Sequence, residues 1–334
     1  MSVTIREVAR QAGVSIATVS RVLNSSGPVG VETRARVTRV ASDLRFVPNG
    51  AARSLITSRT CTLGALLPDI FGEFFSEVLR GLDTAAQREG YQLLVSSSHH
   101  DRSGIVAALR AMRGRVDGLV VMAPDLDARL LRENLPSRLP VVLLNCLVEG
   151  SPYPALNIAN VEGAGEAVAH LAALGHRRVA FVGGPPGNHD AAERLRGYRL
   201  GALAHGLDAG EGLEAFGDFS DVSGYHAARA LFSGAPGERP TALFAANDAM
   251  AIGAIGALRE AGLGVPEDVS VVGFDDIPMA RYFSPPLTTV RAPLHALGSR
   301  GIETLLTADA GAAPVYAVLP TELVVRASSA ARLS

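Results

Sequence analysis

Polar side chains recur in this chain just after short apolar runs. Asp69 follows Leu63–Leu67, Asn145 follows Val141–Leu144, and Asp190 with Arg194 follows Val179–Val182. Asn247 comes after Ala242–Ala245, Asp275 after Val269–Phe274, and His100 after Leu93–Ser96. Phe74, Phe75 and Phe219 stand in similar places. Carboxylates, amides and one guanidinium bind hydroxyls, while aromatic faces cover a ring, so the set suits a sugar. The adjacent pair Asp275-Asp276 raises acid/base catalysis. Neighbours in sequence need not face one substrate, however, and no activated nucleophile accompanies them. The expectation is a binding site and no enzyme.

A second set lies at the N-terminus and suits DNA. Arg21 has the fork of donors that reads guanine O6 and N7, worth roughly 1–3 kcal/mol of discrimination. Ile16 and Ala17 offer only apolar contact, for instance to a thymine methyl. Thr4, Ser15, Ser20 and Asn24 suit phosphates, which fix position without reading sequence.

These groups need elements to place them. Residues 4–23 read as two short helices and a tight turn, with Ala9, Gly13 and Val19 at positions five, nine and fifteen counted from Ile5. Ala9 permits close approach, Gly13 tolerates positive φ, Val19 fills the angle between the helices, and Ser15 is placed to cap the second helix. A third helix is expected over Thr33–Leu44, with Val37, Val40, Ala41 and Leu44 on one face. An ordinary helical hairpin is the alternative; a helix-turn-helix would lay its second helix in the major groove.

From Thr62 onward the apolar runs named above, with Gly118–Met122, alternate with helical patterns over Glu77–Glu89, Ser103–Arg113, Gly163–Leu174, Ala191–His205, Val222–Phe232 and Ala249–Ala261. Such alternation predicts parallel sheets covered on both faces, here two doubly wound lobes with a cleft at the carboxyl ends of their strands. Crossings near Ala159, Val290 and Pro320 would make a hinge. Asp248 is expected to cap the helix that follows it, and Asp276 to serve its own loop. Phe71 reads as core or cleft, and His99, His170 and His189 as solvated. Gly183-Gly184 resembles a phosphate loop, but without Gly-Lys-Ser/Thr nucleotide hydrolysis is rejected.

The 334 residues exceed one ordinary domain, and 48% hydrophobic content supports a substantial core. No apolar run reaches the roughly 18 residues of a membrane span. Cys61 and Cys146 alone give neither a disulfide framework nor a metal-ligand set. No signal peptide is legible, so a cytoplasmic setting is expected and a periplasmic solute-binding protein is disfavoured. Net charge is −2, yet residues 1–60 carry nine arginines against three acids and the rest carries 22 against 30. A basic head suits phosphate. The complete absence of lysine is read as codon bias.

Between head and body, Pro48 and Asn49 can start and cap about two helical turns through Leu55. Such a helix is marginal without a partner. Leu55 has two readings: a wedge entering a base step from the minor groove, or packing on the body as linker.

The words Thr-Ile-Arg-Glu-Val-Ala, Ala-Gly-Val-Ser, Thr-Val-Ser-Arg-Val-Leu-Asn and Val-Pro-Asn-Gly-Ala-Ala-Arg-Ser-Leu resemble the lactose-repressor/galactose-repressor (LacI/GalR) family of bacterial transcription factors. The likeness continues to about residue 326. It implies that Ile16, Ala17 and Arg21 read base edges, and that Leu55, with Ala52 beside it, kinks the centre of a palindromic operator. Thr18 and Asn49, within the matching words, join the DNA-contacting set. The likeness further implies that Asp190, Arg194, Asn247 and Asp275 hydrogen-bond an effector. Phe74, Phe75 and Phe219 would pack on it, with His100 in reach. Asn145 stands where many relatives carry Asp, and Ala292 where many sugar binders carry Gln.

The implied organisation is a helix-turn-helix domain over 1–46, a hinge helix and linker over 47–60, and an effector-binding, dimerising core over 61–326, periplasmic-binding-protein-like in fold. Its N-lobe would hold about 61–159 and 291–320, its C-lobe about 160–290 and 321–326, with a tail over 327–334. No leucine heptads follow Arg326, so a homodimer is expected. The expected partners are double-stranded operator DNA and a sugar-like effector; neither cofactor nor membrane is expected.

Overall fold

Seven small apolar side chains make the core of the first of two units, Met1–Thr60 and Cys61–Ser334. The computed structural model describes residues 3–23, 26–46, 59–99, 101–123, 128–136, 138–146, 151–208, 210, 212–307 and 314–332. In the first unit, helices Ile5–Ala12, Ile16–Leu23 and Val31–Asp43 bury Val8, Ala9, Ala12, Val19, Val22, Val37 and Ala41 together. Gly13 ends the first helix at φ 63°, the left-handed geometry that glycine adopts without strain. Ser15 Oγ accepts from Thr18 N at 3.1 Å, capping the second helix as its position predicted. Arg36 Nε donates to Ala12 O at 3.0 Å, giving an orphan carbonyl at the first helix's C-terminal end a cationic partner. The third helix begins two residues before the expected Thr33.

The second unit holds two six-stranded sheets. The first contains β1 (Thr62–Leu67), β2 (Gln92–Ser97), β3 (Gly118–Val121), β4 (Val141–Leu144), β5 (Ala155–Ile158) and β11 (Tyr316–Leu319), in the order β11-β5-β4-β3-β1-β2. The second contains β6 (Val179–Gly183), β7 (Glu214–Phe216), β8 (Ala242–Ala245), β9 (Ser270–Asp275), β10 (Thr288–Arg291) and β12 (Glu322–Val324), in the order β12-β10-β9-β8-β6-β7. Neighbours run parallel throughout except the antiparallel pair β10–β12. Strands β3, β4 and β8 are buried along their whole length, which requires helices on both faces.

The chain leaves the first sheet after β5, returns after β10 into helix Leu294–Thr307, and leaves again between β11 and β12. That returning helix packs on helix Glu73–Arg88 through glycines. A Cβ on Gly81 would lie 2.1 Å from His295 O, and one on Gly298 2.2 Å from Val78 O. Helix Leu294–Thr307 escapes a propensity reading because Gly298 and Gly301 weaken its pattern, while the close helix approach demands Gly298. Strands β5, β10 and β12 escape because Asn157, the Thr288–Thr289 pair with Arg291, and Glu322 break the apolar run that marks the four-residue strands β3, β4 and β8.

Residues after Arg326 belong to the second lobe. Ser328 is fully buried, its carbonyl accepting from Val271 N and its hydroxyl accepting from Thr288 N while donating to Val271 O, and Arg332 N donates to Leu174 O at 2.9 Å. The segment expected as a tail is therefore tied in as far as Arg332. His170, expected in solvent, is half-buried and bonds Ser329 Oγ at 2.9 Å.

Candidate functional site

Where strands β1, β3, β4, β6, β8 and β9 end, the two lobes enclose a cavity of about 170 Å³. At about 30 Å³ per water, that is room for roughly five or six waters, or one small molecule. Phe74, Phe75 and Asn145 line it from the first lobe; Asp190, Arg194, Phe219, Asn247 and Asp275 line it from the second. Strand ends put them there, because in a parallel sheet the loops after the carboxyl ends all open on one side.

Arg194 organises the second lobe's wall. Its Nε donates to Asn160 Oδ1 at 2.8 Å and its Nη1 to Ala246 O at 2.6 Å. Nη1 also lies 3.1 Å from Asp275 Oδ1, an ion pair that lacks hydrogen-bond alignment. The guanidinium carbon sits 3.8 Å above the Phe274 ring. Asn160 Nδ2 in turn donates to Asp190 Oδ1 at 2.9 Å. Asn160 thus bridges Arg194 and Asp190, a role the sequence did not signal.

Burial dominates the electrostatics. It pushes the Asp275 carboxyl up to about 7, against the pull of Arg194 and with a further push from Asp190. It also raises Asp190, with Arg194 and His189 pulling back. Perturbed carboxylates in a cleft mark a functional site more often than a structural one. The backbone agrees: Asn145 sits at φ 46°, Phe219 at φ 71° and Asp275 at φ 113°. Such conformations are costly away from glycine and gather at binding sites.

The other polar groups position the wall. Asn247 Oδ1 caps helix Asp248–Glu260 by accepting from Met250 N at 2.9 Å, and its Nδ2 donates to Phe219 O at 3.0 Å. Asn247 therefore fixes the Phe219 loop. Phe219 lies against Gly184, where a Cβ would come within 2.3 Å of its ring. The Gly183-Gly184 pair makes room for an aromatic side chain, and holds no phosphate loop. Phe74 and Phe75 meet edge to face at 5.1 Å. Glu73, which sequence reasoning passed over, accepts from Met279 N at 2.8 Å and so links the lobes across the cavity mouth. Phe71 lies at that mouth, 82% exposed.

Two expectations change. Asp69 faces its own turn, accepting from Ile70 N and Phe71 N at 2.7 and 3.1 Å, and does not line the cavity. The i+2 bond explains this, since a short carboxylate satisfies its own backbone first. Asp248 does not cap its helix. It is fully buried and accepts from Ile277 N at 2.9 Å and from Thr289 Oγ1, so it braces the loop after β9. Asp276 does hold its own loop, accepting from Arg291 Nε at 2.8 Å and Arg326 Nη2 at 2.6 Å. A wider groove of about 530 Å³ borders Asp275 and Asp276 from the other side, but two of its arginines, Arg80 and Arg291, already face acids. His100 lies outside the described residues.

In the first unit, Thr4, Ser15, Ile16, Ala17 and Arg21 are exposed, and Thr18 and Ser20 are half-buried. Ile16, Ala17, Ser20 and Arg21 share one face of the second helix, opposite buried Val19 and Val22. Ile16, 46% exposed, gives that face one apolar side chain. Asn24, Asn49, Ala52 and Leu55 lie outside the described residues, as does most of the expected hinge helix. Among the described residues no group of acids, histidines or cysteines is placed to hold a metal ion, and no helix is long and apolar enough to cross a membrane.

Comparison with known proteins places both units. Residues 4–49 match the family model described as bacterial regulatory proteins, lacI family, and residues 168–329 match a periplasmic binding protein-like domain. The HTH-type transcriptional repressor PurR of Aliivibrio fischeri is 36% identical over 91% of this chain and 90% of its own. The ribose operon repressor of Escherichia coli is 35% identical over 91% and 92%. A Lac repressor dimer solved bound to operator and the anti-inducer ONPF superposes with a TM-score of 0.89 at 30% identity, covering 99% of this chain and 100% of that one.

Proposed function

The chain belongs to the lacI family of bacterial regulatory proteins, and on that premise we propose that it is a repressor whose grip on a palindromic operator is set by a sugar-like effector in the interlobe cavity. It acts in the cytoplasm, where the chromosome is, and catalyses no reaction. Arg21 reads guanine, Ile16 and Ala17 contact base edges, and Thr4, Ser15, Thr18 and Ser20 meet phosphates. A palindrome calls for two copies. Leu94 and Val95 on edge strand β2 and Phe216 on edge strand β7 are exposed and apolar, as faces between two copies would be.

The observation that carries the effector role is the Asp190–Arg194–Asp275 cluster. Buried charge of this kind costs stability and is retained where a ligand uses it. Asp190, Arg194 and Asp275 would bond ligand hydroxyls, while Phe74, Phe75 and Phe219 cover its ring. Ligand differentially stabilises one arrangement of the lobes, and that difference reaches the DNA through residues 47–60. Induction and corepression differ only in its sign.

The test begins with enrichment of random duplexes on the purified chain, followed by titration of the selected operator with sugars. A palindromic winner whose affinity shifts at least tenfold with one sugar is expected. Failure to enrich any sequence, or an operator affinity indifferent to every sugar, refutes the reading.

A further inference from the structure

Five buried side-chain atoms among the described residues lack a hydrogen-bond partner, and three of them belong to residues that line the cavity: Nδ2 and Oδ1 of Asn145, and Oδ1 of Asp275. Asn145 is 5% exposed. Its amide lies near enough to Asp190 to ease that carboxyl slightly downward, yet neither amide atom reaches hydrogen-bond geometry with the protein. A buried amide left without partners is costly, so each such group in a native fold calls for an explanation. Asn145 also holds φ 46° directly after β4, in the left-handed region that few residues other than glycine and asparagine adopt. Asn145 belongs to the first lobe and Asp275 to the second, and both residues line the same cavity.

Charge narrows what could satisfy them. Among the described lining residues the acids are Glu73, Asp190 and Asp275, and the one cation is Arg194. That guanidinium already faces two carboxylates and donates to Asn160 and Ala246. An incoming anion would add to the burial that already holds Asp190 and Asp275 back from ionising, in a site with little water where like charges are poorly screened. Hydroxyls are different, since each can donate to Asn145 Oδ1 or Asp275 Oδ1 and accept from Asn145 Nδ2.

We propose that Asn145 is the ligand-selecting residue of this cleft, and that the carboxylates around Arg194 confine the site to uncharged polyhydroxylated molecules, excluding their phosphorylated and carboxylated derivatives. This rests on the reading of the cavity as the effector site. Ligand bridges Asn145 and Asp275, and so the lobes, through atoms that have no hydrogen-bond partner within the protein.

The experiment is calorimetric titration of the full-length chain with neutral pentoses and hexoses and with their phosphates. One neutral sugar should bind about 100-fold more tightly than its phosphate. Asn145→Gly keeps the positive φ and removes the orphan amide, so it should weaken that sugar about 10–100-fold while the ligand-free melting temperature holds within about 2 °C. Asp190→Asn should narrow the gap between sugar and phosphate at least tenfold, which a purely steric exclusion would not do. Preferred binding of a phosphate, an unchanged gap in Asp190→Asn, or full affinity in Asn145→Gly would each overturn this inference and leave the effector reading standing. Binding of neither class would overturn both.

Discussion

Replacing Arg194 with Ala tests how the cleft wall is held. The change deletes hydrogen bonds to Asn160 and Ala246, the stacking on Phe274 and the charge facing Asp275. Removing one partner of a buried ion pair costs about 3–5 kcal/mol, because the other charge is left unpaired. At about 2–4 °C per kcal/mol for a domain of this class, the melting temperature of the Cys61–Ser334 unit should fall by roughly 10 °C. Asp275→Asn should be nearly neutral, since it removes a carboxylate that burial already disfavours. The double variant should therefore recover about 2–3 kcal/mol relative to the sum of the single changes.

The pH dependence supplies an independent check. With the carboxyl of Asp275 raised from 3.8 to about 7, the folded chain holds a proton over that window that the unfolded chain has lost. Stability from this group is complete below the unfolded value and declines as pH rises toward about 7. At about 1.4 kcal/mol per pH unit, the decline is at most about 4 kcal/mol. Denaturant titrations from pH 4 to 8 should show the slope in the parent and its absence in Asp275→Asn. Additive single changes together with parallel pH profiles would refute the account of Arg194 as the counter-charge that lets Asp275 stay buried.

Arg21→Ala should weaken a selected operator about 10–100-fold by fluorescence anisotropy while leaving binding to random duplex within a few-fold; equal losses would show that Arg21 meets phosphate only. Ala9→Leu overfills the three-helix core, where Ala9 is 5% exposed, and should cost about 1–3 kcal/mol there. DNA binding should fall while the melting temperature of the larger unit stays put; loss of both transitions would contradict separate units. Gly184→Ala places a methyl where the Phe219 ring lies. Sugar affinity should drop at least tenfold with the fold retained, by calorimetry and circular dichroism, and unchanged affinity would show that Phe219 does not contact ligand.

Local rules were enough for much of this chain. The Ala9, Gly13 and Val19 spacing specified the two-helix turn because close approach, positive φ and a filled angle each admit few residue types. Uninterrupted apolar runs such as Val141–Leu144 fixed parallel, doubly covered strands, and thereby placed Asn145, Asp190, Asn247 and Asp275 at one mouth. Tertiary structure decided what those side chains do there. Asp69 and Asp248 look alike in sequence to Asp275, yet Asp69 bonds its own turn, whereas Asp248 braces a loop 29 residues away because the fold brings that loop's N–H to it. Asn160 and Glu73 acquired theirs only when the strands assembled, 34 residues separating Asn160 from Arg194 and 206 separating Glu73 from Met279. Helix Leu294–Thr307, with glycines that weaken it alone, depends on tertiary packing, helix Glu73–Arg88 lying close enough to require Gly298. Periodicity is a local property, whereas burial, pairing and the displacement of a pKa depend on neighbours that only the folded chain supplies.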